Sequence, residues 1–428
     1  MLFNQTLTYI SLFSGAGVGC YGLLEEGFEC VAINEILEKR LNIQRINRKC
    51  KFDESYISGD IKKPETKEKI LKQIGFYSKK FGNDRVDLVV ATPPCQGMSV
   101  ANHKKKNDEI KRNSLVIESI DLIKQIKPRF FILENVPSFY KTGCIDKNDN
   151  LLEIGSMIEQ NLSGDYMLYD KVINFKNFGS NSSRTRTLVI GVCKEFKDFI
   201  SALEFFPDFK QEKTLKEVIG SLKPLTWGEY DSADFYHSFR TYPKHMQEWI
   251  KDLKEGQSAF ENVQDAISDL AYLCSNEGAF ESDYLNPIQS SYQALMRKDS
   301  PKLYNHQATN HSQAALEKLK LINKEQGKEC LPKNLHGKQQ FKSTWGRLNW
   351  NKISPTIDTR FDTPSNGTNS HPELHRSITP REAARIQSFS DDYIFYGNKT
   401  SVCKQIGNAV PPLLALALGK AILKSLRK

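Results

Sequence analysis

The stretch from Leu7 to Leu24 constrains this chain more than any other. An unbroken apolar run, LTYISLF at Leu7–Phe13, gives way to the glycine-rich SGAGVG and then to a helical pattern. A short apolar run bounded by glycines reads as a strand buried on both faces. A strand that turns through glycines straight into a helix is the opening unit of a parallel α/β sheet. The alternation continues. Glu29–Asn34 and Tyr56–Ile61 read as the next strands, and VDLVVA (Val86–Ala91) and RFFILE (Arg129–Glu134) as core strands separated by an amphipathic helix near Leu115–Ile126. Tyr166–Asn174 and Thr187–Val192 follow closely across a polar loop, as an antiparallel pair does. The expected fold is α/β, a doubly wound Rossmann-like sheet.

The pattern changes after Cys193. From there to about Lys342 the chain is irregular, polar and aromatic, which predicts a second, smaller domain. Order returns at TPREAARIQSF (Thr379–Phe389), where Thr379 is placed to cap a helix with Pro380 at its first position. A last helix with an apolar face runs from about Pro411 to Ser425 and is expected to pack back on the first domain. The division is 1–193, 194–342 and 343–428, consistent with 428 residues.

Hydrophobic residues at 39% exclude wholesale disorder, and no run approaches the roughly 18 apolar residues of a membrane span. MLFNQTLTYI lacks the basic and apolar regions of a secretory leader, so a soluble cytoplasmic protein is expected. Nine cysteines without a CxxC pair argue against a zinc site or a disulfide framework. Lys+Arg 60 against Asp+Glu 51 leaves +9, which suits a polyanionic partner but equally a merely basic enzyme.

Four local features carry chemistry. Phe13, Ser14, Gly15 and Gly17 form a strand–helix loop in which glycines permit close approach of a ligand, although a tight turn without a ligand has the same look. Glu35 stands 20 residues beyond Gly15 at a strand end, placed to accept from ribose hydroxyls, and Asp60–Ile61 ends the third strand where an adenine amino group can be read. Together they point to a nucleoside-containing cofactor. Thr92-Pro93-Pro94-Cys95-Gln96 lies at the carboxyl edge of the sheet, and the prolines fix where Cys95 points. The other eight cysteines read as small buried hydrophobes, whereas Cys95 reads as a nucleophile. Glu134 emerges from an apolar strand at the same edge, where desolvation raises a carboxyl pKa and lets it donate a proton. Arg184 and Arg186 in SSRTR, taken alone, read as a polar hairpin loop.

At these residues the chain resembles the DNA (cytosine-5)-methyltransferases. FSGAGVG is similar to that family's cofactor loop, Asn34-Glu35 to its ribose-binding acid, PPCQGMS to its nucleophile motif and ENV (Glu134–Val136) to its catalytic glutamate motif. NFGSNSSRTR resembles its arginine pair, and REAARIQSF and QIGNAVPP its two C-terminal motifs, in the expected order, over about 7–192 and 343–423. Two positions depart from the pattern: Ser11 stands where aspartate is usual, and Ser182 where glutamine is usual.

The resemblance implies a site-specific DNA cytosine-5 methyltransferase using S-adenosylmethionine (SAM), with S-adenosylhomocysteine as product and no metal. It implies catalytic roles for Cys95, Glu134, Arg184 and Arg186, and a cofactor site of Phe13, Ser14, Gly15, Gly17, Glu35, Asp60, Ile61, Pro93, Leu115, Asn408 and Ala409. The target base must leave the duplex to be reached. Lys104–Lys106, Lys111 and Arg112 then belong to a loop that closes over it, and 194–342 becomes a target-recognition domain in which Arg240, Lys244, Gln293 and Arg297 are of the types that read DNA. The implied partner is double-stranded DNA, with room for a separately acting restriction endonuclease; the implied protein is a monomer of prokaryotic type, nucleoid-associated in the cytoplasm. Rival readings are an RNA cytosine-5 methyltransferase, disfavoured by the long insert, a silent DNA-binding module, disfavoured by the intact site residues, and a nucleotide-binding oxidoreductase, disfavoured by PPCQ.

Overall fold

The computed structural model describes residues 6–82, 84–94, 113–196, 205–206, 213–226, 304–323, 326–336, 343–391 and 393–426. Strands β1 (Thr8–Leu12), β2 (Glu29–Glu35), β3 (Tyr56–Ser58), β4 (Leu88–Ala91) and β5 (Phe130–Asn135) pair in parallel in the order β3-β2-β1-β4-β5. A small hairpin of β6 (Gly143–Ile145) and β7 (Leu151–Glu153) follows. β8 (Tyr166–Asn174) and β9 (Thr185–Cys193) complete the main sheet as an antiparallel pair, with β9 antiparallel to β5 as well. From β1 the chain winds outward to β3 and then returns to β4 on the other flank of β1, so the switch point lies between β1 and β4. Open α/β sheets place their ligand crevice there, beyond the carboxyl ends of the strands.

Both faces of the sheet are covered, which is why its strands read as continuous apolar runs. On one face Ile10, Val89, Phe131 and Leu133 pack against Ile70 and Tyr77 of α3 (Pro64–Phe81), Ile120 and Ile123 of α4 (Leu115–Ile126) and Ile158 of α5 (Ile154–Leu162). On the other face Tyr9, Leu88, Phe130 and Ile132 meet Leu23 of α1 (Tyr21–Glu25) and Leu41 of α2 (Glu38–Ile46). β3 stops at Ser58, short of Ile61, because the Asp60 side chain accepts the Lys62 N–H and its carbonyl the Lys63 N–H, a turn that leads into α3.

A third cluster joins α6 (Leu215–Ile219) to the C-terminal part of the chain: Leu215, Val218 and Ile219 pack with Leu348, Ile357, Phe361 and Ile386. Leu319 of α7 (Gln313–Leu321) shares a smaller cluster with Leu331 and Trp345. The described residues on either side of 342/343 are thus packed together. Helix α8 (Pro380–Ile386) opens with a capping box in which Thr379 and Glu382 bond each other's backbone N–H groups, as Thr379-Pro380 led one to expect. Helices α9 (Lys399–Gly407) and α10 (Pro412–Leu426) form a stretch long and apolar enough to cross a membrane if it were one helix. Residues 408–411 divide it, and Leu414, Leu418 and Ile422 of α10 are buried on the sheet beside Leu23. The approach needs Gly22, because a Cβ there would stand 2.1 Å from the Pro412 carbonyl oxygen.

Candidate active site

A cleft of about 780 Å³ opens at the switch point. The β1 loop supplies Phe13, Ser14 and Gly15; the ends of β2 and β3 supply Glu35, Asp60 and Ile61; β4 leads into Pro93 and Pro94; α4 contributes Leu115; and the α9–α10 junction closes the far side with Asn408 and Ala409. Phe13–Gly15, Glu35, Asp60, Ile61, Pro93 and Pro94 thus converge because they end or follow strands of one sheet, while helix α4 and the α9–α10 junction close around them. Gly17 is the exception among the expected cofactor residues. It does not line the cleft; its φ is 85°, and a Cβ there would stand 2.5 Å from Cγ of Gln44, so this glycine serves the loop's packing.

The Glu35 carboxylate is buried and already oriented. Its Oε2 accepts the Gly15 N–H at 2.9 Å, and its Oε1 accepts Leu37 N–H at 3.1 Å and Arg40 Nη1 at 3.3 Å. One acid therefore links the glycine loop to the end of β2 and still faces the cleft.

Glu134 and Arg186 line the same cleft. Glu134 opposes Leu188 across the β5–β9 pairing, so Arg186 is its diagonal neighbour, and Arg186 Nε stands 3.2 Å from Glu134 Oε1. Burial pushes the Glu134 carboxyl up, while the charges of Arg186 and Arg184 pull it down without cancelling the rise. Arg184 has a different office. It lines the cleft, yet its Nη1 donates to Gly407 O at 2.8 Å and Ile357 O at 3.3 Å, tying β9 to the segment that carries Asn408.

Asn135 is a site residue whose role residue-by-residue reading overlooked. Its Nδ2 donates to Pro93 O at 2.9 Å and so holds the diproline segment that leads to Cys95. Its place beside Glu134 in ENV was the available signal. Cys95, Lys104–Lys106, Lys111, Arg112, Arg240, Lys244, Gln293 and Arg297 lie outside the described residues. The two departures have local partners. Ser11 Oγ accepts from Cys20 Sγ at 3.5 Å, and Ser182 Oγ donates to Oε1 of Gln387, 3.4 Å away, which brings a glutamine to that spot from the end of α8.

The model of the C-5 cytosine-specific DNA methylase family matches residues 7–424. The chain belongs to this family. M.DdeI, a type II methyltransferase of Desulfomicrobium norvegicum, is 29% identical and the match covers 79% of this chain and 72% of that one. M1.HphI, a type II methyltransferase of Haemophilus parahaemolyticus, is 26% identical over 99% of this chain and 88% of its own. Among solved structures, a DNA modification methyltransferase encoded by an E. coli prophage matches with a TM-score of 0.63 at 23% identity, covering 99% of this chain and 100% of that one. DNMT2 of Spodoptera frugiperda matches with a TM-score of 0.54 at 13% identity, covering 98% and 100% respectively. The family member described here is an enzyme, a DNA (cytosine-5)-methyltransferase, and its curated relatives are type II enzymes.

Proposed function

We propose that this methyltransferase modifies one cytosine of a short double-stranded DNA site, using SAM and a covalent adduct of Cys95 on a flipped-out base. The observation that carries the reading is the pair of buried Glu134 with half-buried Arg186 in the same cleft as the Glu35-bound glycine loop. SAM fits the cleft on two counts: about 780 Å³ is within the usual range for small-molecule sites, and two strand-end acids face it where ribose and adenine offer donors. Glu35 would hold the ribose, Asp60 and Ile61 the adenine, and Phe13, Pro93, Leu115, Asn408 and Ala409 would enclose the rest. Once bound, SAM supplies a methyl group on a cationic sulfur.

Cytosine C5 is a poor nucleophile. Addition of the Cys95 thiolate at C6 forms an S–C6 bond and moves the ring π-electrons toward C5, making it enamine-like. Glu134, whose carboxyl burial pushes up, delivers a proton at N3 as charge builds there. Arg186 holds the base at O2 and Arg184 keeps the C-terminal segment against the site. A base, which water can serve as, then takes the C5 proton from the methylated adduct, the S–C6 bond breaks with Cys95 leaving as thiolate, and N3 returns its proton to Glu134, which restores the aromatic ring. Residues 194–342 read the DNA sequence, and the basic run between Cys95 and Leu115 covers the extruded base.

Bisulfite sequencing of DNA from cells expressing the wild type or Glu134→Gln tests this directly. Protected cytosines at one recurring sequence in the first, absent in the second, are expected. Random or absent protection with folded wild-type enzyme overturns site-specific cytosine methylation.

A further inference from the structure

The loop that opens the cofactor cleft is held from behind. Phe13, Gly15 and Gly17 have φ values of 54°, 57° and 85°, and for Phe13 this conformation is intrinsically unfavourable. The loop's carbonyl oxygens are engaged one after another. Thr92 Oγ1 donates to Phe13 O at 3.1 Å, Gly17 N to Ser14 O at 2.8 Å and Gln44 Nε2 to Gly15 O at 2.9 Å. Tyr393 Oη donates to Ala16 O and Lys49 Nζ to Gly17 O, both at 2.7 Å.

Gln44, Lys49 and Tyr393 are 0%, 2% and 1% exposed, and none of them lines the cleft. Lys49 is the most telling. Its ammonium is buried next to the Tyr9 ring, 6.0 Å from the centroid, and among the described residues it makes no ion pair. Burying a charge without a carboxylate is costly, so the Gly17 carbonyl dipole is a principal compensation for it. Tyr393 comes from the far end of the chain, 377 residues beyond Ala16, and its neighbour Ile394 is clamped by Asn47, which donates to Ile394 O at 2.9 Å and accepts from its N–H at 3.0 Å.

We propose that Gln44, Lys49 and Tyr393 are positioning residues that set the affinity of the cleft for an adenosine-containing cofactor, by holding loop 13–17 in its binding form before the cofactor arrives. If only a fraction of molecules has the loop in that form, apparent affinity falls by that fraction. Tyr393 therefore acts on cofactor binding from the C-terminal segment without lining the cleft itself. The proposal rests on SAM being the ligand.

The test uses the full-length enzyme and SAM itself. Calorimetric SAM affinity, thermal midpoint, and kcat with KM for SAM and for duplex DNA are measured for wild type, Tyr393→Phe, Lys49→Met and Lys49→Arg. Loss of one hydrogen bond is worth roughly three- to tenfold, so Kd and KM for SAM rise by about that factor in Tyr393→Phe and Lys49→Met. At saturating SAM, kcat and the KM for DNA stay at wild-type values, and Lys49→Arg, which keeps a charged donor, recovers part of the affinity. Unchanged SAM affinity in a folded Tyr393→Phe, whatever its thermal midpoint, overturns the proposal, and this variant decides the matter if Lys49→Met does not fold. A wild-type enzyme that binds no SAM instead overturns the cofactor reading underneath, and does so before any variant is compared.

Discussion

Arg186 Nε lies 3.2 Å from Glu134 Oε1, and the pair bridges the last parallel strand of the sheet and the antiparallel strand beside it. The contact brings a cation to a carboxyl that burial pushes up, and the cation pulls it part of the way back down. Glu134→Gln cannot deliver a proton and is expected to lower kcat by about 10²–10⁴-fold with DNA affinity retained. Arg186→Gln removes a charge that holds the Glu134 carboxyl down. The alkaline limb of its residual pH–rate profile, where Glu134 loses its proton, should move to higher pH. An alkaline limb that ignores both substitutions would take Glu134 out of the proton-transfer step.

Cys95 should be trapped on a duplex carrying 5-fluorocytosine at the target position. Fluorine does not leave as a proton does, so elimination stalls with enzyme joined to DNA. The check is an SDS-resistant band on a denaturing gel, present for wild type with SAM and absent for Cys95→Ser, whose hydroxyl is a far weaker nucleophile. A band that survives in Cys95→Ser would move the nucleophile to one of the other eight cysteines.

Glu35→Ala should weaken SAM binding about tenfold or more, since a hydrogen bond to a charged group is worth roughly 1.5–3 kcal/mol. Part of the loss comes through the loop, because the same carboxylate accepts the Gly15 N–H. Titration calorimetry gives the number, and wild-type affinity in the variant would remove Glu35 from the site.

Exchange of residues 194–342 for the corresponding segment of a relative should move the methylated sequence while leaving chemistry in place. The packing of Leu319 and Leu331 on Trp345 advises carrying the partners of this contact along with the exchanged piece. A folded, active chimera that still marks the original site would place recognition elsewhere.

Stability should fall with acid well before the carboxylates titrate. His311 Nε2 accepts the Ser377 N–H at 3.0 Å, and His371 Nδ1 accepts the Glu373 and Leu374 N–H groups at 3.2 and 3.1 Å, so both rings must stay neutral at those nitrogens. Burial depresses each pKa to about 4. The unfolded chain, with histidine near 6.5, then binds more protons between pH 6.5 and 4, so stability is lost as pH falls through that window, by up to about 3 kcal/mol per ring. Glu382 adds a second loss lower down: burial would raise its carboxyl, but the Arg376 charge outweighs this and brings it to about 2. Thermal midpoints from pH 8 to 4 test this, with His311→Gln expected to flatten the upper part of the decline. A midpoint constant from pH 7 to 4.5 would contradict it.

Whatever is local in cause could be read from the chain itself. Strands buried on both faces must be apolar throughout, so Val86–Ala91 and Arg129–Glu134 announce themselves; the structure trims the first to Leu88–Ala91 and shifts the second by one residue to Phe130–Asn135. Thr379-Pro380 caps a helix through bonds that reach three residues. Glu35 and Glu134 are legible because an acid at the end of an apolar strand has few structural reasons to be there. Tertiary structure alone decided the rest. Arg184, taken alone, reads as part of a polar loop, yet its guanidinium meets Gly407 O, 223 residues away. Gly17 reads as a ligand glycine and is filled from behind by Gln44. Lys49 and Tyr393 carry no motif, and only folding shows them beneath the cofactor loop. The physical reason is range. Periodicity, caps and strand ends act over a few residues and leave a pattern in sequence, whereas a single long-range hydrogen bond constrains two positions and leaves none.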